Sequence, residues 1–186
     1  ELLPRYDVKY ELVPLQFEGY PSFDESLKLL IWEMPSDQYQ YGIGVDCSEG
    51  IGQDNAVISA LREATPLRAP GQVAEWASNT VTAFQLWPLL MAMGCLYSTF
   101  SQTAGHRTQC RLAIETWTNG SAAQHELQKR GWYNFHPWMY AGDARKPKRP
   151  AETTKVGVMT NAWFRASMQD MFLTCLSEEA IDLPSP

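Results

Sequence analysis

Basic residues are in the minority: 15 Lys and Arg stand against 21 Asp and Glu, for a net charge of −6. A chain of this balance does not coat nucleic acid by overall basicity, so any contact with DNA must come from a local patch. Long apolar runs are missing too. None approaches the ~18 residues that a membrane span takes. Cysteine is sparse, with Cys47, Cys95, Cys110 and Cys175 separated by 48, 15 and 65 positions. The absence of any CxxC pair argues against a structural zinc site and a secreted disulfide framework, and predicts reduced, half-buried thiols of an intracellular protein. No GxxxxGK[ST] run occurs, which excludes a P-loop ATPase within these residues. No initiating Met and no signal-type apolar stretch opens the chain, and the end falls straight after a helix-like segment, so a piece of a longer polypeptide is expected.

Composition favours one domain. The apolar share is 45% and only 19% of residues are charged, enough for a core and far from disorder. Residues 1–24 are spotted with Pro and aromatics and carry no period. They read as a linker or arm from a preceding domain, with the domain proper over 25–186.

Short apolar segments at Leu27–Trp32, Tyr41–Asp46, Asn55–Leu61 and Gln72–Ala77, punctuated by Gly and Pro, predict four strands with a turn over Pro66–Gly71. From Thr82 to Phe100 the apolar residues recur at three and four, which predicts a helix with Pro88 in its first turn. Arg111–Glu115 reads as a further strand, Gly120–Arg130 as a helix closed by Gly131, and Trp132–Tyr140 as extended. Asn161–Leu176 carries Phe164, Met168, Met171, Phe172 and Cys175 on one side of a last helix, with Thr160 or Asn161 as N-cap. The early strands are close enough for antiparallel hairpins, and the later ones alternate with helices as parallel strands do. The predicted architecture is α/β: a mixed sheet of about five strands flanked by helices.

Two carboxylates stand where a buried strand would not tolerate them alone. Asp46 ends Ile43-Gly44-Val45, and Glu115 ends Leu112-Ala113-Ile114. Each taken singly is better explained as a cap on a loop or a neighbouring helix N-terminus. If their strands are neighbours, the two acids emerge together, and such a pair repels unless it shares a proton or a cation. Hard oxygen donors of this kind suit Mg²⁺ or Mn²⁺. Glu49, Asp54 and Asp143 are further acids at strand starts or on loops.

A basic run completes the inventory. Arg145, Lys146, Lys148, Arg149 and Lys155 place five of the 15 basic residues within 11 positions, broken by Pro147 and Pro150. Such a loop either contacts a phosphate backbone or is simply solvated. The aromatics before it, Trp132, Tyr133, Phe135, Trp138 and Tyr140, read as packing rather than as base-stacking platforms. His136 among them could move a proton, although a lone His is more often structural, and His106 reads as a turn residue.

Taken together, these segments resemble the nuclease domain of the large terminase subunits of tailed bacteriophages. Tyr41-Gly42-Ile43-Gly44-Val45-Asp46-Cys47-Ser48-Glu49-Gly50 followed by Asp54 is similar to the family's first nuclease motif. Ala113-Ile114-Glu115 with Asn119-Gly120 is similar to the second. Gly157-Val158-Met159-Thr160-Asn161 with Arg165 resembles the entry to the family's late helix, and Leu30-Ile31-Trp32-Glu33-Met34-Pro35 the strand before the first motif. The resemblance implies an RNase H-like fold and a metal-dependent endonuclease that cuts concatemeric double-stranded DNA during genome packaging. It implies catalysis by two Mg²⁺ or Mn²⁺ ions, held by Asp46 and Glu115, with DNA phosphates met by the loop of Arg145, Lys146, Lys148, Arg149 and Lys155. It also implies a portal and a small terminase subunit as partners, and the host cytoplasm as the place of action, with no membrane. The family's third acid has no match here, so the third metal ligand is expected beyond Pro186. That departure leaves room for a non-catalytic RNase H-like module that only docks or binds DNA, or for another RNase H-like nuclease such as a junction resolvase.

Overall fold

The computed structural model describes residues 29–47, 54–101, 105–116, 120–137, 156–158 and 162–184. Seven strands and three helices lie within them: β1 Leu30–Ile31, β2 Tyr41–Asp46, β3 Ala56–Arg62, β4 Gly71–Ser78, α1 Trp87–Leu96, β5 Thr99–Ser101, β6 His106–Thr108, β7 Arg111–Ile114, α2 Gly120–Lys129 and α3 Ala162–Ser177. Five strands form one sheet in the order β1-β4-β3-β2-β7. The pairs β1–β4, β4–β3 and β3–β2 are antiparallel, and β7 lies parallel to β2. This is the mixed sheet expected from the sequence, and its fold is RNase H-like α/β.

Alternation sets the two faces of the sheet, interrupted in β4, where a register irregularity against β3 buries both Val73 and Ala74. Tyr41, Ile43 and Val45 of β2, Ala56, Ile58 and Ala60 of β3, Ala74 and Trp76 of β4, and Leu112 and Ile114 of β7 all point to the buried side. There they meet Leu89, Leu90 and Met93 of α1 and Ala123 and Leu127 of α2, which form one core. The opposite face carries Gly42, Gly44 and Asp46 beside Ser59 and Glu75, and is half-exposed. Position 44 has open space above it, since a β-carbon there would meet nothing within 4 Å.

Two outcomes depart from the sequence reading. The helix expected to run to Phe100 stops at Leu96, and Thr99–Ser101 turns into a hairpin with His106–Thr108. Ser98 ends the helix, because its hydroxyl donates to the Gly94 carbonyl at 2.6 Å and accepts from the Cys110 N–H at 3.0 Å. Next to it, Phe100 N–H is taken by the Asp37 carboxylate at 2.8 Å. His106 is accordingly a strand residue, and the turn falls at Gly105 with φ 69°. The late helix α3 does not bury its apolar side either: Met168, Met171, Phe172, Leu173 and Leu176 are 40–69% exposed. The side chain of Phe164 and the caps Thr160 and Asn161 lie outside the described residues, as do Trp138–Tyr140. Trp132 and Phe135 are core residues, as expected, whereas Tyr133 is exposed. All four cysteines are free, with Cys47 and Cys110 buried and Cys95 exposed. No helix among the described residues is long and apolar enough to cross a membrane.

A charged network closes the end of the sheet where β2 begins. Arg62, 1% exposed, donates to Glu33 at 2.6 Å, to the Ala69 carbonyl at 2.8 Å and to Asp182 at 3.4 Å. Arg68 joins Glu33 at 2.9 Å, and both guanidinium groups lie over the Tyr39 ring. Asp182 also pairs through its backbone with Pro70 and Gln72, which ties the segment after α3 to the rim of β4.

Candidate acidic site

The parallel pairing of β2 and β7 creates the site. Gly42, Ile43, Gly44 and Val45 face Arg111, Leu112, Ala113 and Ile114 in register, and Glu115 N–H donates to the Val45 carbonyl at 3.0 Å. The next residue on each strand is an acid, so Asp46 and Glu115 emerge side by side, on strands about 4.8 Å apart. The two side chains are near enough for Asp46 to act on the Glu115 carboxyl, and such a pair is favoured when it shares a proton. Asp46 is exposed and Glu115 half-buried. Burial, the hydrogen bond to Asp46 and the charge of Asp46 together push the Glu115 carboxyl up to about 7, and the Arg165 guanidinium opposes them. Cys47, buried behind the pair, is raised to about 12 by burial and then by the two acids, so it is no nucleophile here.

Two glycines hold Glu115 where it is. Helix α2 begins at Gly120 directly against the Glu115 carbonyl, and a β-carbon at that position would collide with this oxygen. Gly157 has φ 108°, and a β-carbon there would lie 2.5 Å from the Thr116 methyl. Beside it Val158 pairs with the strand that carries Glu115, donating to the Ile114 carbonyl at 2.8 Å and accepting from Thr116 N–H at 2.9 Å.

Among the other acids, Asp54 is exposed just before β3. No group of three or more His, Cys, Asp or Glu side chains able to hold a metal occurs among the described residues. Glu49, Asp143 and the whole basic run, Arg145, Lys146, Lys148, Arg149 and Lys155, lie outside them. His136 stands beyond the site, with its ring Nδ1 2.8 Å from the Pro137 carbonyl. The donor set tests the metal expectation directly: two adjacent carboxylates offer the hard oxygens of one Mg²⁺ or Mn²⁺ site. A second ion needs donors that the described residues do not supply.

The raised Glu115 carboxyl has a consequence for stability. The folded state holds this proton more tightly than the unfolded chain, whose carboxyl sits at the usual 4.5. Stability from this group is therefore present at low pH and lost as pH rises from about 4.5 to about 7. In chelator, the melting temperature of the native chain should fall relative to that of Glu115→Gln between about pH 5 and about pH 8. A gap between the two proteins that is constant across this window would remove the shared proton from the account.

An RNase H-like sheet that brings two acids together at the ends of parallel neighbours is what the residues define by themselves. Solved structures with the same fold include phage proteins. The large terminase nuclease from thermophilic phage G20c, crystallised with bound magnesium, superposes with a TM-score of 0.57 at 17% identity, over 94% of this chain and 69% of that one. Its zinc-bound crystal structure gives 0.56 at 17% identity, covering 94% and 76%. The large terminase nuclease domain of Thermus phage P74-26 gives 0.55 at 17% identity, covering 94% and 68%. No protein-family model and no curated protein sequence matches the chain. At this level of identity the likeness establishes the fold.

Proposed function

We propose that this chain is a metal-dependent DNA endonuclease domain of the terminase kind. The observation that carries the reading is the adjacency of Asp46 and Glu115 at the ends of parallel neighbouring strands. The metal-bound structures of the phage G20c nuclease support it by likeness of fold. A divalent ion held by the pair would supply a water of lowered pKa and polarise a phosphoryl oxygen. The chain's own part is positional. Asp46, exposed, faces the incoming phosphodiester. Glu115, half-buried beside it, would hold the ion and orient the attacking water. DNA phosphates would be met by the loop of Arg145, Lys146, Lys148, Arg149 and Lys155. A portal and a small terminase subunit as partners, and action in the host cytoplasm during assembly, belong to the same reading.

A second reading has its own observation. The described residues offer two carboxylates and no third ligand, and such a pair can stand without metal by sharing a proton. On that reading the chain is a non-catalytic RNase H-like module that binds DNA or docks on another protein. Incubation of supercoiled plasmid with the chain in Mn²⁺, Mg²⁺ or chelator separates the two. Slow nicking with either ion, none in chelator and little sequence preference are expected, since the described residues offer donors for one ion only. Binding to duplex DNA without any cutting in Mn²⁺ would favour the docking module, and cutting in chelator would rule out the metal.

A further inference from the structure

Helix α3 follows closely on a segment that pairs beside the acidic pair. Val158 is hydrogen-bonded to both neighbours of Glu115, and α3 begins at Ala162, four residues on. Four residues reach at most about 14 Å, so the first turn of α3 stays near the site. Arg165 lies in that turn, is exposed, and acts electrostatically on Glu115. The arginines Arg62, Arg68 and Arg130 are spent in ion pairs with Glu33 and Glu126. Arg165 makes no salt bridge among the described residues, Glu115 included.

A strand of DNA brought to two carboxylates carries an anion toward anions. A cation ion-paired with the acids would be neutralised by them, whereas one held near and left unpaired keeps its donors for the phosphate. The planar fork of guanidinium matches phosphate in two parallel hydrogen bonds, which a point-charge ammonium cannot reproduce. We infer that Arg165 binds a backbone phosphate of the DNA strand that lies against Asp46 and Glu115, and so sets that strand's position at the site. The inference rests on the reading of this pair as the place where DNA is met.

The test is binding of a short fluorescein-labelled duplex, followed by anisotropy over a series of NaCl concentrations in Ca²⁺. Arg165→Ala should weaken binding about tenfold, the worth of one hydrogen-bonded charge contact. It should also flatten the slope of log K against log salt by about one. Arg165→Lys should keep the slope, since the charge remains, but recover only part of the affinity. An unchanged slope in Arg165→Ala would overturn the inference. So would an effect confined to Mn²⁺ affinity by calorimetry, because Arg165 would then act on Glu115 and not on DNA. Plasmid cutting by the native chain is scored separately. Cutting with an unchanged slope leaves the nuclease and removes the arginine; a flattened slope with no cutting does the reverse.

Discussion

Asp46→Ala should reduce plasmid cleavage in Mn²⁺ by about 10³-fold or more, the order lost when one member of a catalytic unit is removed. The reason is geometric. The pair is built by one register, Val45 opposite Ile114, and no other acid joins it among the described residues to take over. Glu115→Ala should cost as much, and the double variant little more than either, because two groups that act on one centre are not additive. Asp46→Asn keeps the shape and a hydrogen-bond acceptor yet removes the charge a cation needs, so it should be nearly as inactive. Asp46 is exposed and Glu115 half-buried at a strand end, so these variants should fold, with melting temperatures that differ from the native chain only as the pH dependence of the pair requires. DNA binding in Ca²⁺ by the Asn variant should survive. Full activity in Asp46→Ala would mean that the chemistry lies elsewhere in the chain.

Glu33→Ala should be the most damaging substitution for stability. It leaves the Arg62 guanidinium, 1% exposed, with only the Ala69 carbonyl and the distant Asp182 carboxylate at 3.4 Å. Breaking a buried pair from one side costs about 3–5 kcal/mol. The remaining partners favour the lower end, about 3 kcal/mol, and a chain of this size loses roughly 2–4 °C per kcal/mol, so a fall of about 6–12 °C is expected. Arg62→Met in the Glu33→Ala background should restore much of it, since the orphaned charge is then gone. A fall of less than about 2 °C in Glu33→Ala would show that water reaches Arg62 and that the network carries little.

Much of the sheet was legible from the sequence because its causes are local. Tyr41–Asp46 alternates apolar residues with glycines, so its period of two is visible, and so is the acid that terminates it. Pro88 marks the first turn of α1 for the same kind of reason: a missing N–H costs nothing there. The start of β5 was hidden at the end of a helical pattern, and β6 behind a His106 read as a turn residue. The hairpin's deciding contacts, Ser98 with Cys110 and Phe100 with Asp37, span 12 and 63 positions. Arg62 stands just past the strand expected over Asn55–Leu61, and nothing nearby in the chain announces Glu33, 29 residues before it, or Asp182, 120 residues after it. The α3 stripe misled in the opposite direction: apolar spacing records a helix face but not what lies against that face.

By itself the sequence determined the elements of the sheet and the position of an acid at the end of two of its apolar strands, since propensity and alternation act within a few residues. Only the tertiary structure decided that those two strands are parallel neighbours in one register, that Asp46 acts on the Glu115 carboxyl, and that Arg165 acts on it too without a salt bridge among the described residues. Strand adjacency is a matter of which apolar faces bury best against α1 and α2, and that free energy belongs to the whole core rather than to any one segment.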